Sequence, residues 1–191
     1  MCFNPPQSNG GNMLLTHQNL TIRSATINDA ALLAAWWNDG AVMAHAGFPK
    51  GIGTTVSQVI DQIKRYTDED QCLIIELDGT PIGEMSYGKE GDGIAGIGIK
   101  ICNPEHQEKG YGKILLSMLI SSLFDDFGYT KIILDTNLNN MRAQHVYERL
   151  GFSVTNVHRD CWRNQVGQLQ SFVDYALTKD RFVNFAVNKD K

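Results

Sequence analysis

The sequence predicts a single α/β (α+β) domain built on one mixed, mostly antiparallel central sheet with helices on both faces, and three observations carry that prediction. Apolar residues recur at helical spacing behind capping signals in the early and late parts of the chain. Short β-branched runs bounded by turn residues occupy the middle and the end. An apolar helix opened by glycines lies between two of those runs, which places it across the sheet they form. The 191 residues fit one ordinary domain, with 42% apolar and 20% charged residues, enough to bury a core and too ordered a composition for a disordered or fibrous chain. No internal repeat or linker divides it.

From the start, residues 1–18 read as a flexible tail, since Pro5-Pro6 and Ser8-Asn9-Gly10-Gly11 are breakers and no charged residue occurs before Arg23. The domain is expected over residues 19–180, followed by a second tail at 181–191. Leu20 to Arg23 is a first strand. Thr26-x-x-Asp29 is a capping-box-like start for the apolar helix from Ala30 to Trp37, with Gly40 near its stop, and Thr55-x-x-Gln58 starts a second helix carrying Val56, Val59, Ile60 and Ile63. Cys72 to Leu77 and Pro81 to Tyr87 are strands joined by the hairpin signal Asp78-Gly79. Ala95 to Cys102 follows the turn around Gly91-Asp92-Gly93. Gly110 to Phe127 is a mostly buried helix stopped by Gly128, and Lys131 to Asp135 is a short buried strand. Asn140 to Leu150 is a helix ended by Gly151, and Phe152 to Arg159 and Leu169 to Leu177 are the closing strands.

Charge and composition narrow the partners. Seventeen Lys and Arg against 21 Asp and Glu give a net charge of −4, which argues against nucleic acid while leaving room for a local basic pocket. Cys2, Cys72, Cys102 and Cys161 form no CxxC pair and no secretory leader is read, so free thiols in a cytoplasmic protein are expected. The longest apolar run, Ala30 to Trp37, is far short of the ~20 residues that span a bilayer, so no membrane partner is expected.

Two segments carry chemistry. Gln107-Glu108-Lys109-Gly110-Tyr111-Gly112-Lys113 joins a strand to a helix. Glycines there let the backbone turn tightly and approach a ligand, while the free N–H groups of the first helical turn attract an anion. Ile114 after Lys113 excludes a P-loop, and no Gly-x-Gly-x-x-Gly fingerprint is present. A tight strand-to-helix turn would use the same residues. The second segment is Asn140-x-x-Ala143-x-x-x-Tyr147-x-x-Leu150-Gly151-Phe152, in which Tyr147 on its own reads equally as a core aromatic.

Together, in this order and about thirty residues apart, the two segments resemble the GNAT superfamily of acetyl-CoA-dependent N-acetyltransferases, over roughly Leu20 to Leu177. Asp29, Trp37-Asn38-Asp39, Ile82-Gly83-Glu84 and the stretch Trp162…Gly167…Tyr175 are similar to its bacterial branch of ribosomal-protein, polyamine and aminoglycoside N-acetyltransferases. The resemblance implies a sheet splayed at the cofactor site. It also implies acetyl-CoA as cosubstrate, with its pyrophosphate on Gln107, Glu108, Lys109, Gly110, Tyr111, Gly112 and Lys113 and its pantetheine along the backbone of Ile99, Ile101 and Asn103. Asn140, Ala143 and Tyr147 would line the pantetheine and sulfur, with the Tyr147 hydroxyl protonating the leaving thiolate; a phenol near pKa 10 suits that step. The acceptor is a primary amine of a small molecule or a protein N-terminus, and a homodimer is left open beside the monomer. A coenzyme A binding module of the same fold is the alternative.

The ammonium of the acceptor must lose a proton, which requires a base. The strand glutamate frequent in the superfamily is absent here, Gly96 standing at its place, so Glu84 on the preceding strand is the expected substitute, with Asp135 and Asp174 as further candidates. His17, His45, His106, His145 and His158 show no metal spacing, so no metal is expected. Lys109, Lys113 and Arg142 are candidates for steering phosphates.

Overall fold

A computed structural model describes residues 12–187. Local signals build its helices. Asp29 accepts the Thr26 amide at 2.8 Å and the Thr26 hydroxyl at 3.0 Å, and a single 3-10 turn over Ile27–Asp29 leads into α1 (Ala30–Asn38). Ala30, Leu33, Ala34 and Trp37 are buried along one stripe of α1, the i, i+3, i+4, i+7 spacing of an amphipathic helix. Gly40 does not end the helical region: Asp39 caps a further short helix, α2 (Gly40–Met43), by accepting the Ala41 amide at 2.8 Å. Thr55 and Gln58 form the reciprocal capping box that starts α3 (Val56–Ile63).

The strands are β1 (Leu14–His17), β2 (Leu20–Ser24), β3 (Asp70–Leu77), β4 (Thr80–Gly91) and β5 (Ile94–Ile101), then, after α4 (Tyr111–Asp125), β6 (Lys131–Asn137). After α5 (Met141–Arg149) come β7 (Ser153–Arg163) and β8 (Leu169–Thr178). They form one eight-stranded sheet in the order β1-β2-β3-β4-β5-β6-β8-β7. Only the β5–β6 contact is parallel. Asp78 and Gly79 both have positive φ, 51° and 75°, as a two-residue hairpin turn requires.

Side chains alternate between two cores. On one face Leu73, Ile75, Met85, Tyr87 and Ile97 pack beneath α4 and α5, against Leu115, Leu119, Tyr147 and Leu150. On the other, Cys72 and Ile74 pack beneath α1 and α3. Arg23 ties the second layer to the sheet: its guanidinium grips Asp29 through two 2.8 Å hydrogen bonds and Glu76 through a third.

Both expected tails need correction. Leu14–His17 is a strand paired antiparallel with Leu20–Arg23, and Met13 is buried, its amide donating to the Ser24 hydroxyl at 2.8 Å. The isolated sequence around it lacks a strand pattern, and the pairing with β2 supplies the order. At the other end Phe182, Phe185 and Ala186 pack on the larger core, and the Phe185 amide donates to Ser117 Oγ at 2.9 Å. Pro5-Pro6, the Ser8–Gly11 stretch, Cys2 and residues 188–191 lie outside the described residues. β4 and β7 also run longer than expected, to Gly91 and Arg163.

The Asp29 carboxyl is held below the usual carboxylate range, chiefly by the Arg23 hydrogen bonds, with burial opposing and the Thr26 hydrogen bonds adding. A depressed carboxyl contributes stability above its unfolded value near 3.9 and loses that contribution as pH falls through its folded value. Asp29→Asn should therefore cost about 2 kcal/mol at pH 7. In urea titrations the gap to wild type should shrink below about pH 4; a gap that stays constant with pH would mean that the ion pair is not its source.

Candidate active site

The site begins where β5 and β6 part. Their parallel pairing covers Ile94↔Lys131, Ala95↔Ile132 and Gly96↔Ile133 and then stops. Beyond it β5 continues against β4 as far as Ile101, and β6 continues against β8 as far as Asn137. The gap is the expected splay. Along Ile97–Ile101, alternate backbone N–H and C=O groups point into it with no strand to meet them, the arrangement into which an extended arm can pair as an added strand. Ile99 and Ile101 pack on the larger core, so their side chains hold this edge in place.

The glycine loop follows. Asn103 caps the turn at its start by accepting the Glu105 amide at 3.0 Å. The Gln107 side chain donates to the Ile101 carbonyl at 2.9 Å, which pins the loop to the end of β5. Glu108 and Gly110 take positive φ, 61° and 82°, and the amides of Glu108, Lys109 and Gly110 find no backbone acceptor among the described residues. They add to the free N–H groups of the first turn of α4, which begins at Tyr111. A Cβ added at Gly110 or Gly112 would meet nothing within 4 Å, so both glycines border open space. Unpaired amides, a helix N-terminus and room for close approach together make a cradle that suits a diphosphate.

Charged side chains around the loop are partly committed. Arg142 pairs with Glu108 at 3.2 Å, joining the two sequence segments across exposed surface, and Lys113 lies over the Phe185 ring at 5.2 Å.

In the second segment Asn140 is first a helix cap: its side chain accepts the Ala143 amide and donates to the Thr136 hydroxyl, both at 3.3 Å. Ala143 packs on the core. Tyr147 is both the core aromatic and the candidate acid. Its ring meets Tyr175 edge-on at 5.7 Å and Phe152 at 5.9 Å. Its hydroxyl has no hydrogen-bond partner among the described residues, and burial, then the charge of Asp135, push its pKa up to about 12. A phenol so placed stays protonated at neutral pH.

On the face opposite the glycine loop a trough of about 520 Å³ is lined by residues of β3, β4, β5, β6, β7 and β8. Asp70, Glu90, Asp135 and Asp174 line it, and no Lys or Arg does. Gly88 and Gly96, paired across β4 and β5, form part of its floor. A Cβ at Gly96 would stand 2.9 Å from Glu90 Cγ and 3.1 Å from its Oε1, so Glu90 fills the space a side chain there would need. A latch bridges this face: the Gln165 side chain donates to the Gly51 carbonyl at 2.8 Å and accepts the Lys50 amide at 2.9 Å. The Trp162 ring packs on Gly47 so closely that no side chain fits there.

Glu84 has other work than the base role expected of it. It is 5% exposed; Oε2 accepts the Trp37 indole N–H at 2.7 Å and Oε1 the Lys100 ammonium at 2.9 Å. Burial alone would lower the Lys100 pKa, but the charge and hydrogen bond of Glu84 outweigh it and hold it above the ordinary lysine value. Both carboxylate oxygens are thus already engaged, one by an ammonium and one by an indole, inside the protein. Glu84 anchors α1 to β4. Trp37 is thus the inward tryptophan of the pair, and Trp36 is partly buried on the same layer.

Sequence reasoning passed over Glu90, Asp70 and His158. Glu90 was legible, since 84, 86, 88 and 90 continue the period of β4 on one face; Asp70 and His158 reach the site through pairings distant in sequence. Among the described residues no three His, Cys, Asp or Glu come together as a metal-holding group.

Comparison with known proteins defines the class. The sequence model of the acetyltransferase (GNAT) family matches residues 52–152. The chain belongs to that family, and the protein is an acetyl-CoA-dependent N-acetyltransferase. An aminoglycoside N(6')-acetyltransferase type 1 of Klebsiella pneumoniae is 28% identical over 151 residues, covering 72% of this chain and 75% of the relative. A kanamycin resistance protein of Rhizobium radiobacter is 38% identical over 60 residues, 31% of this chain and 56% of that one. The fold is similar to that of spermidine N-acetyltransferase from Vibrio cholerae, solved with CoA and spermine: the TM-score is 0.78 at 19% identity, over 87% of this chain and 99% of that one.

Because a side chain at Gly112 enters empty space, Gly112→Val should fold with an unchanged melting temperature while acetyl-CoA affinity, read by calorimetry, falls at least about tenfold, the loss of roughly 1.4 kcal/mol. Wild-type affinity in the folded variant would move the diphosphate elsewhere.

Proposed function

We propose that the protein transfers an acetyl group from acetyl-CoA to a primary amine of a small molecule carrying several positive charges. The observation that carries this reading is the trough lined by Asp70, Glu90, Asp135 and Asp174, which opens at the same splay as the glycine loop but on the opposite face of the sheet. Carboxylates with no cation among them attract and orient polyamine or aminoglycoside ammonium groups. The likeness to an aminoglycoside N(6')-acetyltransferase supports the same acceptor class. A protein N-terminus brings one ammonium and would leave most of these charges unanswered.

Acetyl-CoA supplies an acyl thioester. The amides from Glu108 to Lys113 would hold its diphosphate, with Lys109 nearby and Arg142 paired to Glu108 beside them, and the open edge at Ile99, Ile101 and Asn103 would align the arm that follows. Gln107 and Asn140 serve the site by holding the loop and α5 in place. Tyr147, protonated and without a partner, donates its proton where thiolate charge develops. The free thiols of Cys72, Cys102 and Cys161 suit a reducing, cytoplasmic setting.

The test is thiol release from acetyl-CoA across polyamines, aminoglycosides, uncharged monoamines and peptide N-termini. Polycations should give the highest kcat/KM, and preference for the peptide would overturn the acceptor class. Coenzyme A binding with no release under any acceptor would favour the binding-module alternative. Tyr147→Phe removes one hydroxyl from a packed ring, so folding and acetyl-CoA affinity should hardly change while kcat falls about 10²-fold. Near wild-type kcat with chemistry rate-limiting would return Tyr147 to the core alone.

A further inference from the structure

Asp135 and Asp174 stand directly opposite each other on β6 and β8. Like charges in that arrangement repel, and nothing cationic among the trough-lining residues relieves them. On its other side Asp135 faces the opening. It lies two residues past Ile133, the last residue paired with β5, and so points to the same face of the sheet. Its counterpart on β5, two residues past Gly96, is Gly98, which offers no side chain. The carboxyl therefore borders the gap with no β5 side chain standing opposite it.

The surroundings give the pair a structure that a surface acidic cluster lacks. His158 Nε2 lies 2.8 Å from Asp174 Oδ2, and its ring stacks on Phe172 at 4.2 Å, fixing the carboxylate next to Asp135. From the other face comes the unpartnered hydroxyl of Tyr147, a residue only 7% exposed and close enough to Asp135 to feel its charge. Asp135 is itself exposed, yet partial desolvation by its neighbours and, after it, the charge of Asp174 hold its carboxyl above the usual carboxylate range.

We propose that Asp135 is the proton acceptor of the transfer, with Asp174 and His158 as its positioning pair. The inference rests on the amine-acceptor reading above and gives that site its base. The protons balance as follows. Of the three on the acceptor ammonium, one passes to Asp135 and from there to solvent, which frees the nitrogen lone pair to form the C–N bond as the C–S bond breaks. One remains on the amide nitrogen. The third is lost from nitrogen to solvent while Tyr147 delivers a proton to the departing sulfur and is reprotonated, so that the net products are the amide, the thiol and one released proton. The titratable groups that bear on Asp135 are Asp70 on β3, Glu90 on β4, Asp174 and Tyr175 on β8, His158 on β7, Tyr147 on α5, and His45 on the 3-10 turn packed against β6.

Two isosteric variants of the full chain test it, Asp135→Asn and Asp174→Asn, with three measurements: kcat/KM against pH with the best polycationic acceptor, acetyl-CoA affinity by calorimetry, and the titration of the Asp135 carboxyl carbon by NMR in the free protein. Asp135→Asn should lower kcat/KM at neutral pH by about 10²-fold with acetyl-CoA affinity unchanged, and lose less as rising pH deprotonates the amine unaided. Asp174→Asn removes the neighbouring charge, so the Asp135 titration and the acidic limb of the rate profile should both move to lower pH, a joint shift that a purely structural role would not produce. Wild-type kcat/KM with its acidic limb intact in Asp135→Asn, or an Asp135 titration unmoved by Asp174→Asn, overturns this inference alone. A wild-type protein that releases no thiol with any amine overturns both this inference and the acceptor reading.

Discussion

Three residue pairs of parallel sheet hold the two halves of this molecule together at its centre, and the functional geometry depends on there being no more of them. β5 and β6 separate after Gly96 and Ile133 because each has a full-length antiparallel partner on its outer side, β4 and β8. Those outer ladders twist independently, and no loss of pairing on the outer sides accompanies the parting. The inner edge is left with backbone donors and acceptors that the protein itself does not satisfy. In a folded domain such an edge is either a liability or a binding surface. Here the glycine loop, pinned by Gln107 to the last carbonyl of β5, sits at its end and makes it the latter.

The same opening separates charge. The loop side carries Lys109, Lys113 and Arg142 around unpaired amides, while the far side carries four carboxylates with no cation among the trough-lining residues. Lys100 stands on the trough face of β5, two residues beyond Gly98. Glu84, opposite it on β4, accepts it at 2.9 Å, so the pair is close to neutral at a distance and the field of the trough survives. Such part-buried pairs seldom add much stability of their own, so the effect of this one is chiefly on the local field.

What the sequence made legible was whatever is settled within a few residues. The capping boxes at Thr26 and Thr55, the Asp78-Gly79 turn and the glycine loop all depend on neighbours a few positions away, and each forms where the pattern places it. The strand at Leu14–His17 was not legible, because its order comes from β2 and from a bond between Met13 and Ser24. Glu84 was singled out for chemistry because it lies on the strand before the one that lacks the family's glutamate; its partner Trp37, 47 positions away, was not legible. The trough drew least on local pattern, being assembled from six strands whose order in space is not their order in the chain.

The glycine at position 96 then has a physical reading. A glutamate there would project into the trough from β5, but Glu90, from the neighbouring strand, already lies across that glycine with its carboxylate oxygen 3.1 Å from where a Cβ would stand. The two arrangements exclude each other sterically: a side chain at 96 must displace Glu90, and Glu90 in its present place requires glycine at 96. Gly98 is under a similar constraint from the Ser86 hydroxyl, 2.9 Å from its own absent Cβ. The floor of the trough is therefore kept bare on β5 and its negative charge is brought in from the flanks, Asp70 and Glu90 on one side and Asp135 and Asp174 on the other. An acidic surface built from the edges inward leaves its centre open beside the splay.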